Sequence, residues 1–439
     1  MDYINYVKQS PMSMSGIGGP VGALNFHSGS SFALFGDRAV NMGGQQRNNY
    51  NYLDNIDYFN IANSTGNASD FGDITANQRS GGAASNGSRA IYNGAQRLSV
   101  DVITFATLSN ASDFGDVTAQ SGAVSQSAVV TDSNRAVWGG GQWQPDFGRT
   151  SKMMACASIA VNSNIAAISG DLTLARTAMG SASNATRGVW HTGTAPSPVS
   201  RCNVIDYVTI ATAGNATDFG DSQQSRDETV GTFGETRGLF HGGIYQGGGG
   251  FVTINTTEYI VMDTTSNAIS FGSLNPKSRK MQGASNATRA TFSGGLTVPD
   301  AESVSERIQT VAIMTTGNAS DFGDLTQARR GGSLGQSSNA TRHIFYGGQT
   351  PTMVDTIDYV TIATTGNATH FGDTGTGVGV PAAMADSIRA VFAGGDAPSS
   401  VNTVNYITMA TQGDSVDFGD ATIVISGASG CSNAHGGLG

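Results

Sequence analysis

Two short signatures alternate along the chain, and each places apolar residues where a β-strand would bury them. The first opens with Arg, passes through a small residue, an aliphatic or β-branched residue and often an aromatic, and stops at glycine. It reads RAVNMGG at 38–44, RAIYNGA at 89–95, RAVWGGG at 135–141, RGVWHTG at 187–193, RGLFHGG at 237–243, RATFSGG at 289–295, RHIFYGG at 342–348 and RAVFAGG at 389–395. The second centres on Phe-Gly-Asp, at Phe71, Phe114, Phe219, Phe322, Phe371 and Phe418, with Ser273 replacing Asp after Phe271 and Ser169-Gly170-Asp171 as a degenerate copy. Repetition of this kind marks an array built from one supersecondary unit.

Spacing separates frame from loop. From the Phe position to the next Arg the interval is 18 residues in five of the seven internal cases and 20 or 21 in the others, whereas from Arg to the next Phe position it ranges from 25 to 34. The constant part predicts framework and the variable part predicts loops. Inside the variable part lies a third apolar run, IDYVTI at 205–210 and 357–362 and VNYITM at 404–409. Its β-branched and aromatic residues suit a pleated surface packed on both faces. A Thr-Gly-Asn turn follows at 316–318 and 365–367, combining glycine for positive φ with a side chain that bonds nearby backbone. The small-residue run before each Arg, such as 331–338, supplies a fourth strand.

Four short strands in about 50 residues, with no sustained helical period, predict an all-β propeller of four-stranded antiparallel blades. Eight copies of each signature predict eight blades, with seven as the alternative because the third unit is degenerate. The last run, 423–432, stops short of a further Arg strand, while the first unit opens on its Arg strand. These complementary ends predict that the C-terminal strand pairs beside 38–42, closing the ring and removing exposed edges. Residues 1–34 match no full repeat, and 11–30 is rich in Gly, Ser, Met and Pro. This N-terminal segment reads either as a frayed terminus or as an extended docking arm, with 35–439 forming the propeller.

Composition changes this picture little. Gly is 60 of 439 residues and charged residues are 13%, yet the periodic apolar runs argue against a disordered chain. A net charge of -10 disfavours a nucleic-acid partner. The chain shows no secretory leader and no apolar run long enough for a membrane helix, so a soluble protein made in a cytoplasm is expected. Cys156, Cys202 and Cys431 are far apart and lack CxxC spacing, which fits small core residues rather than a disulfide framework or metal site.

Candidate chemistry is sparse. Asp-Phe-Gly occurs six times, without the glycine-rich loop or HRD segment of a kinase, and so reads as structure. Carboxylate pairs such as Asp70/Asp73 and Asp321/Asp324 have the oxygen ligands that Ca²⁺ takes. Because His370 and Ser273 replace an acid in other units, turn capping is the better reading. The repeated Arg89, Arg135, Arg187, Arg237, Arg289, Arg342 and Arg389 predict ties from blade to blade through carbonyls or acids, against the alternative of a cationic ring around a channel. The six histidines show no HxH or HExxH spacing, and no catalytic residue, metal site or cofactor is assigned. Asn-x-Ser/Thr at Asn67, Asn110, Asn215, Asn286 and Asn339 falls at the same two turns of the unit and reads as turn chemistry. Binding is expected in the variable loops after the glycines, where Trp143 and Gln144, and Tyr245 and Gln246, stand among glycines.

The unit resembles a kelch repeat: Gly347-Gly348 matches the double glycine, Tyr359 the kelch tyrosine, and Phe371 takes the place of the family's tryptophan. The strings IDYVTIATTGNATHFGD at 357–373 and SNATRGVWHTG at 183–193, with the opening YINYVKQSPMSMSGIGG, are similar to kelch-like virion structural proteins of marine tailed phages, notably those of cyanobacteria. That resemblance implies a non-enzymatic virion component, assembled in the host cytoplasm and present in several copies. Residues 1–34 would contact other virion proteins, and a loop-bearing face would meet neighbouring subunits or a host glycan or protein. The alternative is a free carbohydrate- or protein-binding kelch module. A propeller enzyme is disfavoured.

Overall fold

A computed structural model describes residues 38–432 apart from short internal stretches, the longest being 117–123, 144–149, 159–169, 298–302 and 336–340. The proposed arm, 1–34, therefore lies outside the described residues. Every regular element described is a strand, and the arrangement is a propeller-like series of antiparallel sheets.

The unit is clearest at Gly180–Ser183, Arg187–Thr194, Arg201–Thr209 and Thr217–Asp221, which pair in that order as one sheet. We call these the inner, Arg, Tyr and outer strands. The same order recurs at Val230–Phe233, Arg237–His241, Thr256–Val261 and Ile269–Ser273, and again at Gln282–Ser285, Arg289–Ser293, Arg307–Ala312 and Ser320–Asp324. The degenerate third copy still pairs: Gly170–Asp171 lies beside Met153–Ser158. Of the run 331–338 only Leu334–Gly335 is described, and it pairs parallel with Ala382–Ala383 of the following unit.

The C-terminal strand Ser429–Ser432 pairs antiparallel with Arg38–Met42, with Cys431 opposite Val40. Apolar packing is between consecutive sheets. Val189 and Ile205 meet Phe240 and Ile260 of the next sheet, and Val391 and Phe418 meet Phe59 and Ile61 near the other end of the chain. Small residues recur in the inner strands, where neighbouring units come close. Ala382–Ala385 is buried throughout, Ser85 Oγ donates to Ser432 O at 2.8 Å, and Ser432 Oγ donates to Ala385 O at 2.7 Å.

Within each unit the Tyr and outer strands bring one aromatic pair together. Tyr359 meets Phe371 edge-on at 5.7 Å, as Tyr207 meets Phe219 and Tyr406 meets Phe418. The Phe of Phe-Gly-Asp thus supplies the core side chain, and the following glycine supplies access. At Gly372, φ is +159° and an added Cβ would lie 2.2 Å from Gly413 O in the next unit. Only a residue without Cβ lets that turn approach so closely.

Candidate functional site

The repeated polar residues join neighbouring sheets. Arg187 Nη1 donates to Met262 O at 2.9 Å, Arg237 to Ile313 O at 3.2 Å, Arg289 to Ile362 O at 3.1 Å and Arg135 to Ile210 O at 3.4 Å, each carbonyl lying in the next unit. Arg342 bonds Met409 O in the same way, and Arg389 reaches Ile61 O at 3.2 Å across the chain ends. The guanidinium also covers the Tyr ring of its own unit, at 4.4 Å for Arg237 over Tyr259 and Arg342 over Tyr359. Arg89 heads the equivalent strand, Arg89–Ala95.

Asparagines of the following turn also bond across the joint. Asn215 Oδ1 accepts from Asp171 N at 3.0 Å, Asn318 from Ser273 N at 3.0 Å, Asn367 from Asp324 N at 3.1 Å and Asn67 from Asp420 N at 3.1 Å. The carboxylates weighed as Ca²⁺ ligands cap turns, Asp70 accepting from Gly72 N at 2.9 Å and Asp321 from Gly323 N at 3.1 Å. Among the described residues no group of acids, histidines and cysteines has the geometry to hold a metal.

A second polar layer is buried. The residue before each Tyr, or its equivalent, faces the segment that crosses from the preceding outer strand. Asp206 takes Thr173 N at 3.0 Å and Thr173 Oγ1 at 2.6 Å, and pairs with Arg176 at 3.0 Å with both side chains fully buried. Asp358 does the same with Thr326 and Arg329. Glu258 accepts from Gln223 N at 3.0 Å, Ser222 and Arg226, and its Oε1 lies 2.7 Å from His191 Nε2. Burial opposes ionisation of Glu258, but the Arg226 guanidinium, His191 and Ser222 outweigh it and hold the carboxyl well below its usual range. His191, by contrast, is lowered to about 4 by burial, so it is a neutral ring stacked 3.9 Å from Phe240. These acids, bases and hydroxyls resemble a catalytic set in composition. They are closed from solvent, and their geometry serves packing.

The loops after the glycines lie against the crossing segments: Gly141 N donates to Arg176 O at 2.8 Å and Gly243 N to Ser278 O at 3.1 Å. Trp143 pairs with Val124 through its backbone, its side chain and Gln144 falling outside the described residues. Tyr245 and Gln246 lie on a hairpin, Ile244–Gly247 with Gly250–Thr253, where Tyr245 is half-buried opposite Val252 and Gln246 is exposed opposite Phe251. Phe251 is 64% exposed, and every other described Phe, Tyr or Trp side chain is buried or half-buried. Arg201 Cζ stands 4.4 Å over its ring, and Arg201 Nε donates to Asp227 Oδ1 at 2.8 Å. Phe251, Arg201 and Asp227 come from three separate segments and are not among the residues the sequence singled out. The available signal was an aromatic directly after four glycines.

No protein-family model and no curated protein matches this sequence. Among solved structures, that of YjhT superposes with a TM-score of 0.48 at 11% identity, covering 68% of this chain and 98% of that one. At that level the likeness says nothing further about fold or function.

Proposed function

We propose that the sheets form a closed ring of eight kelch-like blades, and that the protein is a non-enzymatic structural component of a phage virion. In this reading residues 1–34 dock on other virion proteins, and the loops after the glycines face neighbouring subunits or the host surface. The observation that carries the scaffold part is the use of the repeated polar residues. Arg, Asn and the residue before Tyr are committed to joints between units, which stiffen a frame and leave variation to the loops. Ring closure is supported by joints of the same types across the chain ends: Arg389 to Ile61, Asp420 to Asn67, and Thr422 Oγ1 to Asp57 Oδ1 at 2.5 Å. Eight rather than seven blades is supported by the pairing of the degenerate Gly170–Asp171. The virion assignment rests on the sequence resemblance.

Mass spectrometry of purified particles tests it: the protein is expected in stoichiometric amount, and its absence overturns the assignment. Deleting residues 1–34 is expected to leave a folded propeller that no longer joins the particle. Normal incorporation of the truncated chain would remove the anchoring role. A free carbohydrate-binding module is the second reading, favoured by the exposed Phe251.

A further inference from the structure

The exposed ring of Phe251 is held rather than loose. One face is covered by the Arg201 guanidinium at 4.4 Å. Arg201 is itself only 11% exposed and is fixed by Asp227, which also accepts from Thr194 Oγ1. Asp227 in turn anchors the base of the hairpin, its N and O bonding Ile244 O and N at 3.1 and 3.0 Å. Residues 194–201, residue 227 and the strands Ile244–Gly247 and Gly250–Thr253 therefore converge to present one aromatic face to solvent. Gln246 is directly opposite Phe251 on the hairpin, so its amide lies on the same side of the ribbon, about 5 Å away between Cβ atoms. Glycines 247 and 250 flank the pair and leave approach to the ring open, with nothing within 4 Å of a Cβ added at Gly250.

We propose that Phe251, with Gln246 and the edge of Arg201, forms a subsite for one pyranose ring of a glycan. A pyranose offers an apolar C–H face to stack on an aromatic and a rim of hydroxyls for amide and guanidinium donors. A protein partner needs a wider desolvated apolar centre. Here the one exposed aromatic of the described residues has Arg201 over one face, Gln246 opposite it and Gly250 beside it, which fits the sugar. Fixing the ring in advance reduces the ordering cost of binding. Arg201 acts as a positioning residue, since its charge is already paired with Asp227. The inference deepens the loop-face part of the proposed function and does not depend on the virion assignment.

The test uses the full chain and methyl glycosides of glucose, galactose and N-acetylglucosamine, read by saturation-transfer NMR. Transfer to sugar ring C–H protons is expected for at least one of the three. Phe251→Ala is expected to weaken that binding at least tenfold and Phe251→Trp to retain it, with both variants folded because the side chain is exposed. Gln246→Ala is expected to weaken it less. No transfer from any glycoside, or equal transfer with Phe251→Ala, overturns the proposal. So does Phe251-dependent attachment to host cells that persists after their surface glycans are removed, which would assign the ring to a protein partner. A sugar-binding protein missing from particles would leave this proposal standing and remove the virion reading.

Discussion

Three Tyr strands bury an acid against an arginine, and two bury one with no such pairing among the described residues. Asp206, Glu258 and Asp358 pair with Arg176, Arg226 and Arg329. Asp57 and Asp101 occupy the same place in the first two units, yet are bonded there by Thr422 and Asn55, or by Thr75. Where the arginine would stand, the segment packed on Asp57 carries Ile425, a core residue set among Val391 and Phe418. The difference shows in the titration of the acids. Burial raises Asp57, and raises Asp101 from 3.8 to about 6, the threonine bonds offsetting only part of that cost. Glu258 is shifted the other way. One backbone position thus serves as a paired ion in one region and as a reluctant carboxylate in the first two units.

The largest expected effect breaks the paired region. Arg226→Ala leaves Glu258 buried without its cation and should cost about 3–5 kcal/mol, read as a lower chemical-unfolding midpoint. If the loss is no larger than for an exposed arginine, the pair is not holding that joint. The reluctant region should respond oppositely to pH. With the folded value of Asp101 above its ordinary one, its favourable contribution is complete below about pH 3.8 and is lost as pH rises through about 6. A rise from 3.8 to about 6 corresponds to roughly 3 kcal/mol. Asp101→Asn keeps an acceptor for Thr75 and removes the charge, so its advantage over the native chain should vanish below about pH 4 and be greatest above about pH 6. A difference independent of pH would refute this. Glu258, being depressed, contributes stability above its ordinary value of 4.5 that is lost as pH falls.

Smaller effects separate backbone from side-chain contributions to the joints. Gly323 has φ +145°, and an added Cβ would lie 2.4 Å from the Gly366 backbone, so Gly323→Ala should cost about 1–3 kcal/mol in thermal unfolding. Asn318→Ala removes one exposed acceptor for Ser273 N and should cost about 1 kcal/mol. An asparagine effect exceeding the glycine effect would mean that the side chain, not close approach, sets the joint.

Much of this was legible in the sequence. Arg at a fixed place in a repeat, the Thr-Gly-Asn turn and the Phe-Gly-Asp strand each recur, and a contact made once per unit leaves a period. The buried pairs also left a signal that spacing could have found. Arg176, Arg226 and Arg329 each stand five residues after the aspartate position of the outer-strand signature, in units followed by an acid before Tyr or its equivalent. Phe251, Arg201 and Asp227 left no period, because each occurs once; the run of four glycines before Phe251 marks that residue alone.

The sequence by itself determined the strand pattern, the unit and the residues that tie unit to unit, since periodic burial and periodic bonding must be written periodically. Only the tertiary structure decided that these acids are buried against the segment crossing from the neighbouring unit, and how far that burial shifts them. It also decided that one exposed aromatic is fixed by an arginine and an aspartate from other segments. Such environments depend on side chains brought together across the chain, and spacing along the chain does not encode that distance.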